Sequence, residues 1–163
     1  MKHSALILIF LFLSACKTTV EEYNSPKSFS NGDKSVEVWM NDDGLNNAIF
    51  LSINTQVAWQ RKSLQGGAMS VFLPEGENSF VIRMLYTEFM EFPVDKEISL
   101  KSEFSPEFKY VFVSKYDEKT KVFLYRFEKI DKNSKCKFEP TNFKRIITGK
   151  LICTLNGQVY KFT

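Results

Sequence analysis

The stretch "MSVFLPEGENSFVIRMLY", residues 69–86, decides the fold class of this chain. Apolar side chains recur at every second position on both sides of its centre, which is the period of a β-strand. The segments "MSVFL" (69–73) and "SFVIRMLY" (79–86) are therefore predicted strands. The turn-forming residues of "PEGEN" (74–78) between them predict a hairpin.

Short runs with the same period continue along the chain, separated by turn residues. No window of eleven or more residues carries a convincing helical stripe of apolar side chains. Strands spaced about ten residues apart with turns between them predict an all-β fold, an antiparallel sandwich or barrel, and of these we expect a β-sandwich of the immunoglobulin-like or a related kind. The further predicted strands are residues 35–40, 48–53, 57–60, 96–104, 108–116 and 121–130.

The N-terminus has the composition of an export signal. A charged start precedes an apolar stretch at residues 5–13, which is shorter than the roughly 18 to 20 residues that a membrane-spanning helix needs. The sequence Leu13-Ser14-Ala15-Cys16 that follows resembles the lipobox of bacterial lipoproteins. This resemblance implies a signal peptide at residues 1–15, cleavage before Cys16 and acylation of its thiol. The alternative is an ordinary secretory peptide with an accidental cysteine.

The lipobox resemblance also implies a membrane partner and a location. Several acyl chains at one site hold a protein at a membrane surface, whereas a single chain binds only marginally. Lys17 stands where aspartate is the usual inner-membrane retention signal. We therefore expect the outer membrane in an organism with two membranes, with the protein facing the periplasm or the cell surface. Residues 16–34 are polar and predict a flexible tether.

Export determines how the other two cysteines are interpreted. Cys136 and Cys153 are an even pair in an oxidising compartment, so we predict a structural disulfide, with two buried thiols as the alternative. No metal is expected, because two cysteines supply half of a structural zinc site. Asn156-Gly157 lies between two alternating runs and predicts a C-terminal hairpin. The disulfide would attach this hairpin to the segment after the strand that ends near Ile130.

Charge is distributed unevenly along the chain. Residues 17–130 carry 14 Lys and Arg against 17 Asp and Glu, while residues 131–163 carry 7 against 2. We therefore divide the chain into a sandwich domain at 35–130 and a basic hairpin extension at 131–163. The extension is a candidate site for anionic lipid headgroups or cell-wall polymers, although scattered lysines also serve solubility alone. Its candidate residues are Lys135, Lys137, Lys144, Arg145, Lys150 and Lys161.

The chemistry of the side chains argues against most enzyme classes. The single histidine is His3, inside the predicted leader. This excludes histidine-activated serine or cysteine nucleophiles and histidine-based zinc catalysis in the mature chain. Glu75 and Glu77 flank Gly76 in a predicted turn, where we expect solvated carboxylates rather than an acid–base pair. No catalytic residue is assigned and no cofactor is expected, since phosphate-loop and dinucleotide glycine patterns are missing from the sequence.

Other candidate sites also favour structural interpretations. Residues 41–47, "NDDGLNN", have oxygen atoms for calcium but lack the EF-hand spacing, so a turn is predicted. Trp39 and Trp59 are candidates for a ligand platform, but aromatic residues in strands more often form core. Glu88 and Glu91 are predicted to edge a connecting loop. Nucleic acid is not expected as a partner of an exported, anchored protein.

Residues 57–84 resemble the core of PEGA-like and related small bacterial lipoproteins. Pro74, Glu75 and Gly76 occupy the position of the Pro-Glu-Gly turn in those domains. The segment "FKYVFVSKY" (108–116) is similar to a later strand of such domains. The resemblance implies a β-sandwich that serves as an envelope binding or scaffolding module without catalytic residues. We expect a lipid-anchored, non-catalytic envelope protein. The alternatives are a carboxylate-dependent hydrolase of cell-wall glycans and a structural subunit of an envelope or secretion assembly.

Overall fold

The computed structural model describes residues 27–30, 34–41, 43, 45–58, 70–87, 93–143 and 146–162. Every regular element in these residues is a β-strand, which confirms the all-β prediction. The strands are β1 (Lys27–Ser28), β2 (Ser35–Met40), β3 (Asn46–Ile53), β4 (Gln56–Val57), β5 (Ser70–Pro74), β6 (Gly76–Tyr86), β7 (Val94–Phe104), β8 (Phe108–Asp117), β9 (Val122–Asp131), β10 (Lys135–Phe143), β11 (Ile146–Leu155) and β12 (Gln158–Val159).

The strands form three sheets within the described residues. The central sheet has the order β1-β5-β2-β8-β9, the outer sheet β4-β3-β6-β7 and the C-terminal sheet β10-β11-β12. Most neighbours are antiparallel, but β1 pairs with β5 and β2 pairs with β8 in parallel, so the central sheet is mixed. The sequence pattern predicted antiparallel pairing. Side chains alternate between the two faces of a strand whether its neighbour runs parallel or antiparallel. The alternating pattern therefore does not indicate the direction of the neighbouring strand.

The central and outer sheets pack face to face as a β-sandwich around the main core. Every second residue of β6 from Asn78 to Tyr86 is buried, as the alternating pattern predicted. Aromatic rings from both sheets meet between the layers. The ring centroid of Phe50 lies 5.5 Å from that of Phe80 and 6.1 Å from that of Phe112. Tilted and edge-on contacts of this kind add to the stabilisation that apolar burial provides.

The hairpin predicted around residues 74–78 does not form. β5 belongs to the central sheet and β6 to the outer sheet, with Glu75 as the single residue between them. A tight hairpin needs about two loop residues, so this short link instead makes a corner at which the chain changes sheet. Gly76 has a φ of +90°. The side-chain amide of Asn78 donates hydrogen bonds to the carbonyl oxygens of Pro74 (2.9 Å) and Gly76 (3.1 Å).

The C-terminal sheet packs on the second face of the central sheet. In β8, Tyr110 and Phe112 are part of the main core, while Val111 and Val113 are part of a second buried cluster with Phe138 of β10. β8 is therefore buried on both faces. A strand in that position has a continuous apolar run rather than an alternating one, and "YVFV" (110–113) is such a run.

The predicted C-terminal disulfide and hairpin are both confirmed, within a larger element than expected. Cys136 and Cys153 lie directly opposite each other in β10 and β11 and are joined by a disulfide. β11 turns into β12 at Asn156 and Gly157, which have φ values of +51° and +82°. The segment after Ile130 is thus itself a strand, and the predicted hairpin extension is a three-stranded sheet.

The first described strand lies inside the region predicted as tether. β1 pairs with β5, and Phe29 packs against the main core, so the domain begins before Ser35. The predicted signal peptide, Cys16 and residues 17–26 of the predicted tether lie outside the described residues. In the part of the chain that is described, no helix has the length and apolarity to cross a membrane.

Candidate functional site

Four of the six predicted basic residues converge on the outward face of the C-terminal sheet. Lys135 and Lys137 alternate along β10 with Cys136 and Phe138, which belong to the buried cluster. In the same way Lys150 alternates with Leu151, and Lys161 lies between Tyr160 and Phe162, which pack against that cluster. All four lysines are exposed. We call Lys135, Lys137, Lys150 and Lys161 the basic face; Lys144 and Arg145 lie outside the described residues.

The charges of the basic face are spaced by the sheet itself. Lys135 and Lys137 are two residues apart on one strand, which separates their backbones by about 7 Å. Lys150 is the cross-strand neighbour of Glu139, which also forms an ion pair with Lys137. Among the described positions of this face, Glu139 is the one acidic residue. Four cations against one anion give this face a net positive charge.

The inward side of the same strands packs in the buried cluster and is cross-linked by the disulfide. Leu151 and Cys153 are 2% and 0% exposed, and the disulfide joins β10 to β11 directly behind the lysines. The rings of Tyr160 and Phe162 are stacked with centroids 6.3 Å apart. The backbone N–H of Tyr160 donates to the carbonyl oxygen of Cys153 (2.9 Å), which extends the pairing beyond β12. Lys161 is thereby held next to the sheet.

A polar cluster joins the C-terminal sheet to the central sheet. The Lys109 ammonium group lies 2.8 Å from a carboxylate oxygen of Glu37 and donates a 2.7 Å hydrogen bond to the carbonyl oxygen of Ser134. The other Glu37 oxygen accepts a 2.8 Å hydrogen bond from the indole N–H of Trp39. The Lys109 and Glu37 side chains are 20% and 18% exposed. Because its charge is paired here, Lys109 orients the C-terminal sheet and is not part of the basic face.

The pairing of Lys109 with Glu37 was not predicted from the sequence. Their partnership depends on β2 and β8 being neighbours in the central sheet, and these strands are about seventy residues apart in the chain. One local signal was present. Glu37 and Trp39 are two residues apart on one strand and therefore lie on the same face.

The carboxylates proposed for an alternative hydrolase lie in exposed ion pairs. Glu75 lies 3.4 Å from the Lys34 ammonium group, and Glu77 lies 2.8 Å from that of Lys101. The hydrogen bond and charge of Glu77 raise the pKa of Lys101. The two glutamates thus have the solvated environment predicted for this turn. Glu88 and Glu91, the other carboxylates considered, lie outside the described residues.

The predicted turn at residues 41–47 is organised by Asp43. One Asp43 oxygen accepts hydrogen bonds from the backbone N–H groups of Leu45 (3.0 Å) and Asn46 (2.6 Å). The side-chain oxygen of Asn46 accepts a hydrogen bond from the Tyr116 N–H (2.8 Å), which ties the turn to β8. The described residues contain no cluster of three or more potential metal-binding side chains.

Trp39 belongs to the core, as the pattern of its strand predicted. It is 4% exposed and packs in the cluster between the central and C-terminal sheets. Trp59, the other candidate for a ligand platform, lies outside the described residues.

Comparison with protein families, with curated proteins and with solved structures finds no match for this chain. The surface chemistry of the described residues is therefore the basis for a functional assignment.

Proposed function

We propose that this protein is a lipid-anchored module of the bacterial cell envelope that binds an anionic partner through its basic face and catalyses no reaction. The single observation that carries the proposal is the convergence of Lys135, Lys137, Lys150 and Lys161 on one exposed face with one acidic neighbour. The partner is defined by its chemistry as a surface or polymer of phosphate or carboxylate groups.

An array of exposed lysines on one sheet face suits an extended anionic partner better than a small ligand. Lysine presents a compact charge on a flexible stem and lacks the planar fork with which arginine grips a single carboxylate. Near an anionic membrane surface, each such lysine contributes about 1 kcal/mol of attraction, which weakens beyond a Debye length of about 8 Å. Several lysines on one sheet face can act together on an extended partner.

The lipobox-like sequence supports an envelope location for this binding. If Cys16 is acylated, residues 17–26 separate the membrane from β1. An extended chain of this length spans at most about 40 Å. Anionic headgroups and the adjacent cell-wall polymers would both lie within that reach.

A non-catalytic role fits the side chains that the mature chain would contain. The only histidine is His3, and the cysteines at 136 and 153 are oxidised. A sheet surface without a histidine or a free thiolate is suited to binding, since the common nucleophile–base pairs need one or the other.

Charge reversal on the basic face tests the proposal. We expect Lys135→Glu, Lys137→Glu and Lys150→Glu together to reduce co-sedimentation with anionic vesicles or with isolated cell-wall sacculi by tenfold or more. All three side chains are exposed, so the fold should survive. Raising the salt concentration should weaken binding of the unmodified protein in the same direction, because counterions screen exposed charges.

A second triple variant is the matched control. Lys96→Glu, Lys101→Glu and Lys119→Glu produce the same change of net charge at exposed positions outside the C-terminal sheet. This variant should keep most of the binding. Equal losses of binding in both variants would show that net charge alone is responsible and would contradict a specific role of the basic face. Binding that changes neither with charge reversal on the basic face nor with added salt would also overturn that role.

A further inference from the structure

β9 forms an open edge of the central sheet. Within the described residues it pairs with β8 on one side and with no strand on the other. The register with β8 is continuous from Phe108↔Asp131 to Asp117↔Val122, without a bulge. An edge of this kind presents a regular row of backbone N–H and C=O groups that another strand can join.

The side chains of β9 give this edge an apolar first part, residues 122–125, and a second part that carries the charges. Exposed edges are commonly blunted by charged side chains, and β7, the edge of the outer sheet, carries five of them: Asp95, Lys96, Glu97, Lys101 and Glu103. β9 carries four charged residues, Arg126, Glu128, Lys129 and Asp131, all in its second part, and exposes apolar and aromatic groups within its first four residues. Val122, Leu124 and Tyr125 are 44%, 57% and 44% exposed.

Two of the four charged residues of β9 are placed symmetrically about Phe127. Arg126 and Glu128 flank Phe127, form an ion pair with each other, and are 54% and 23% exposed. Suppose that two copies of β9 pair antiparallel with Phe127 on the two-fold axis. Directly opposed residues then have numbers that add to twice 127, so Arg126 of each copy faces Glu128 of the other. Opposite charges at directly opposed positions stabilise a strand pair.

The same register places one of the exposed apolar side chains against an apolar residue. Leu124 of one copy lies opposite Ile130 of the other. Ile130 belongs to the buried cluster beneath the C-terminal sheet. The exposed Leu124 would therefore adjoin an apolar cluster of the second copy rather than water.

We propose that the protein forms a two-fold symmetric homodimer by antiparallel pairing of β9 with β9 of a second copy, centred on Phe127. The two five-stranded central sheets become one ten-stranded sheet. The occupant of the open edge is a second copy of this chain because one register brings Arg126 opposite Glu128 twice and Leu124 opposite Ile130 twice. This dimer uses the central sheet and leaves the basic face exposed.

A mixing experiment with charge variants tests the dimer. Arg126→Glu places two acidic residues on the edge and Glu128→Arg places two basic ones, so each variant alone should dimerise at least about tenfold more weakly than the unmodified chain. An equimolar mixture should regain dimers, since every opposed pair is then complementary. Both variants lose the Arg126–Glu128 ion pair within the chain. Comparing their melting temperatures with that of the unmodified chain therefore separates a loss of dimerisation from a loss of stability. Sedimentation of the full chain in detergent measures the association.

Cysteine crosslinking tests the register. Tyr125 of one copy faces Lys129 of the other, whereas within one chain these residues are four positions apart and too distant for a disulfide. In chains that also carry Cys16→Ser, a mixture of Tyr125→Cys and Lys129→Cys should give a disulfide-linked heterodimer. A mixture of Tyr125→Cys and Lys101→Cys, on the edge of β7, is the control. Any one of three results would overturn the proposal. The unmodified chain could stay monomeric at high micromolar concentration, or the mixture of charge variants could stay monomeric. The third is crosslinking of Tyr125→Cys with Lys129→Cys that is no faster than in the control mixture.

Discussion

At the scale of the single residue, Asn78 shows how a buried polar side chain determines the path of the chain. It is fully buried, and its amide donates to the two carbonyl oxygens at the corner between β5 and β6. Its side-chain oxygen accepts a 2.7 Å hydrogen bond from the side-chain amide of Asn54. Buried polar groups stabilise a fold only when their hydrogen bonds are made, and both ends of this amide have partners.

Replacing Asn78 should therefore be costly. We expect Asn78→Ala to lower the free energy of unfolding by about 1–3 kcal/mol, because the carbonyl groups of Pro74 and Gly76 lose a donor and Asn54 loses an acceptor. Urea denaturation followed by circular dichroism measures the change. The control is Asn133→Ala, at an exposed turn position, which should cost less than about 0.5 kcal/mol. Similar losses in the two variants would contradict the structural role given to Asn78.

At the scale of the element, the C-terminal sheet depends on attachments as well as on its own core. Its inward face contributes Phe138 and Leu151 to the second cluster, and Lys109 connects it to the central sheet through the Ser134 carbonyl group. The disulfide closes a loop between residues 17 positions apart in the chain. In the chain-entropy description, a cross-link over a loop of this length stabilises a fold by about 3 kcal/mol.

Removing the disulfide should weaken this sheet measurably. We expect Cys136→Ser to lower the free energy of unfolding by about 2–4 kcal/mol, because the unfolded chain regains the freedom of the closed loop. Hydrogen exchange should rise first in β10 and β11. A reductant should destabilise the unmodified protein by a similar amount and leave the variant unaffected. Two alkylatable thiols at positions 136 and 153 in the unreduced protein would contradict the prediction.

At the scale of the whole molecule, three stacked sheets separate two surfaces of different chemistry. The basic face lies on the outside of the C-terminal sheet, while the apolar edge at Val122 and Leu124 belongs to the central sheet. In the proposed envelope setting, this arrangement lets one layer contact an anionic surface while another layer contacts a second copy. The proposed anchor at Cys16 and the proposed binding by the basic face are tested separately.

The anchor is tested at Cys16. We expect Cys16→Ala to abolish acylation and to leave either an uncleaved precursor or a soluble exported form. Phase partitioning in detergent should then move the cleaved protein from the detergent phase to the aqueous phase, since the lipid chains are what hold it. A membrane-bound fraction equal to that of the unmodified protein would refute the lipoprotein proposal. Binding of the basic face to sacculi should persist in this variant.

The sequence by itself determined the local features of this protein. The alternation in β6, the Asn156-Gly157 turn and the oxidised pair Cys136–Cys153 were all predicted correctly. These features depend on a side-chain period of two residues, on backbone angles that asparagine and glycine tolerate, and on the number of cysteines. The basic character of the C-terminal region was likewise evident from counting charges.

Only the tertiary structure decided which strands are neighbours and which faces are buried. The stretch 69–86 contains two strands, as predicted, but they lie in different sheets, because strand pairing is set by burial shared with distant residues rather than by the turn alone. The convergence of four lysines on one face and the open edge of β9 also depend on sheet order. Sheet order is a property of long-range packing, and a local period of two residues does not encode it.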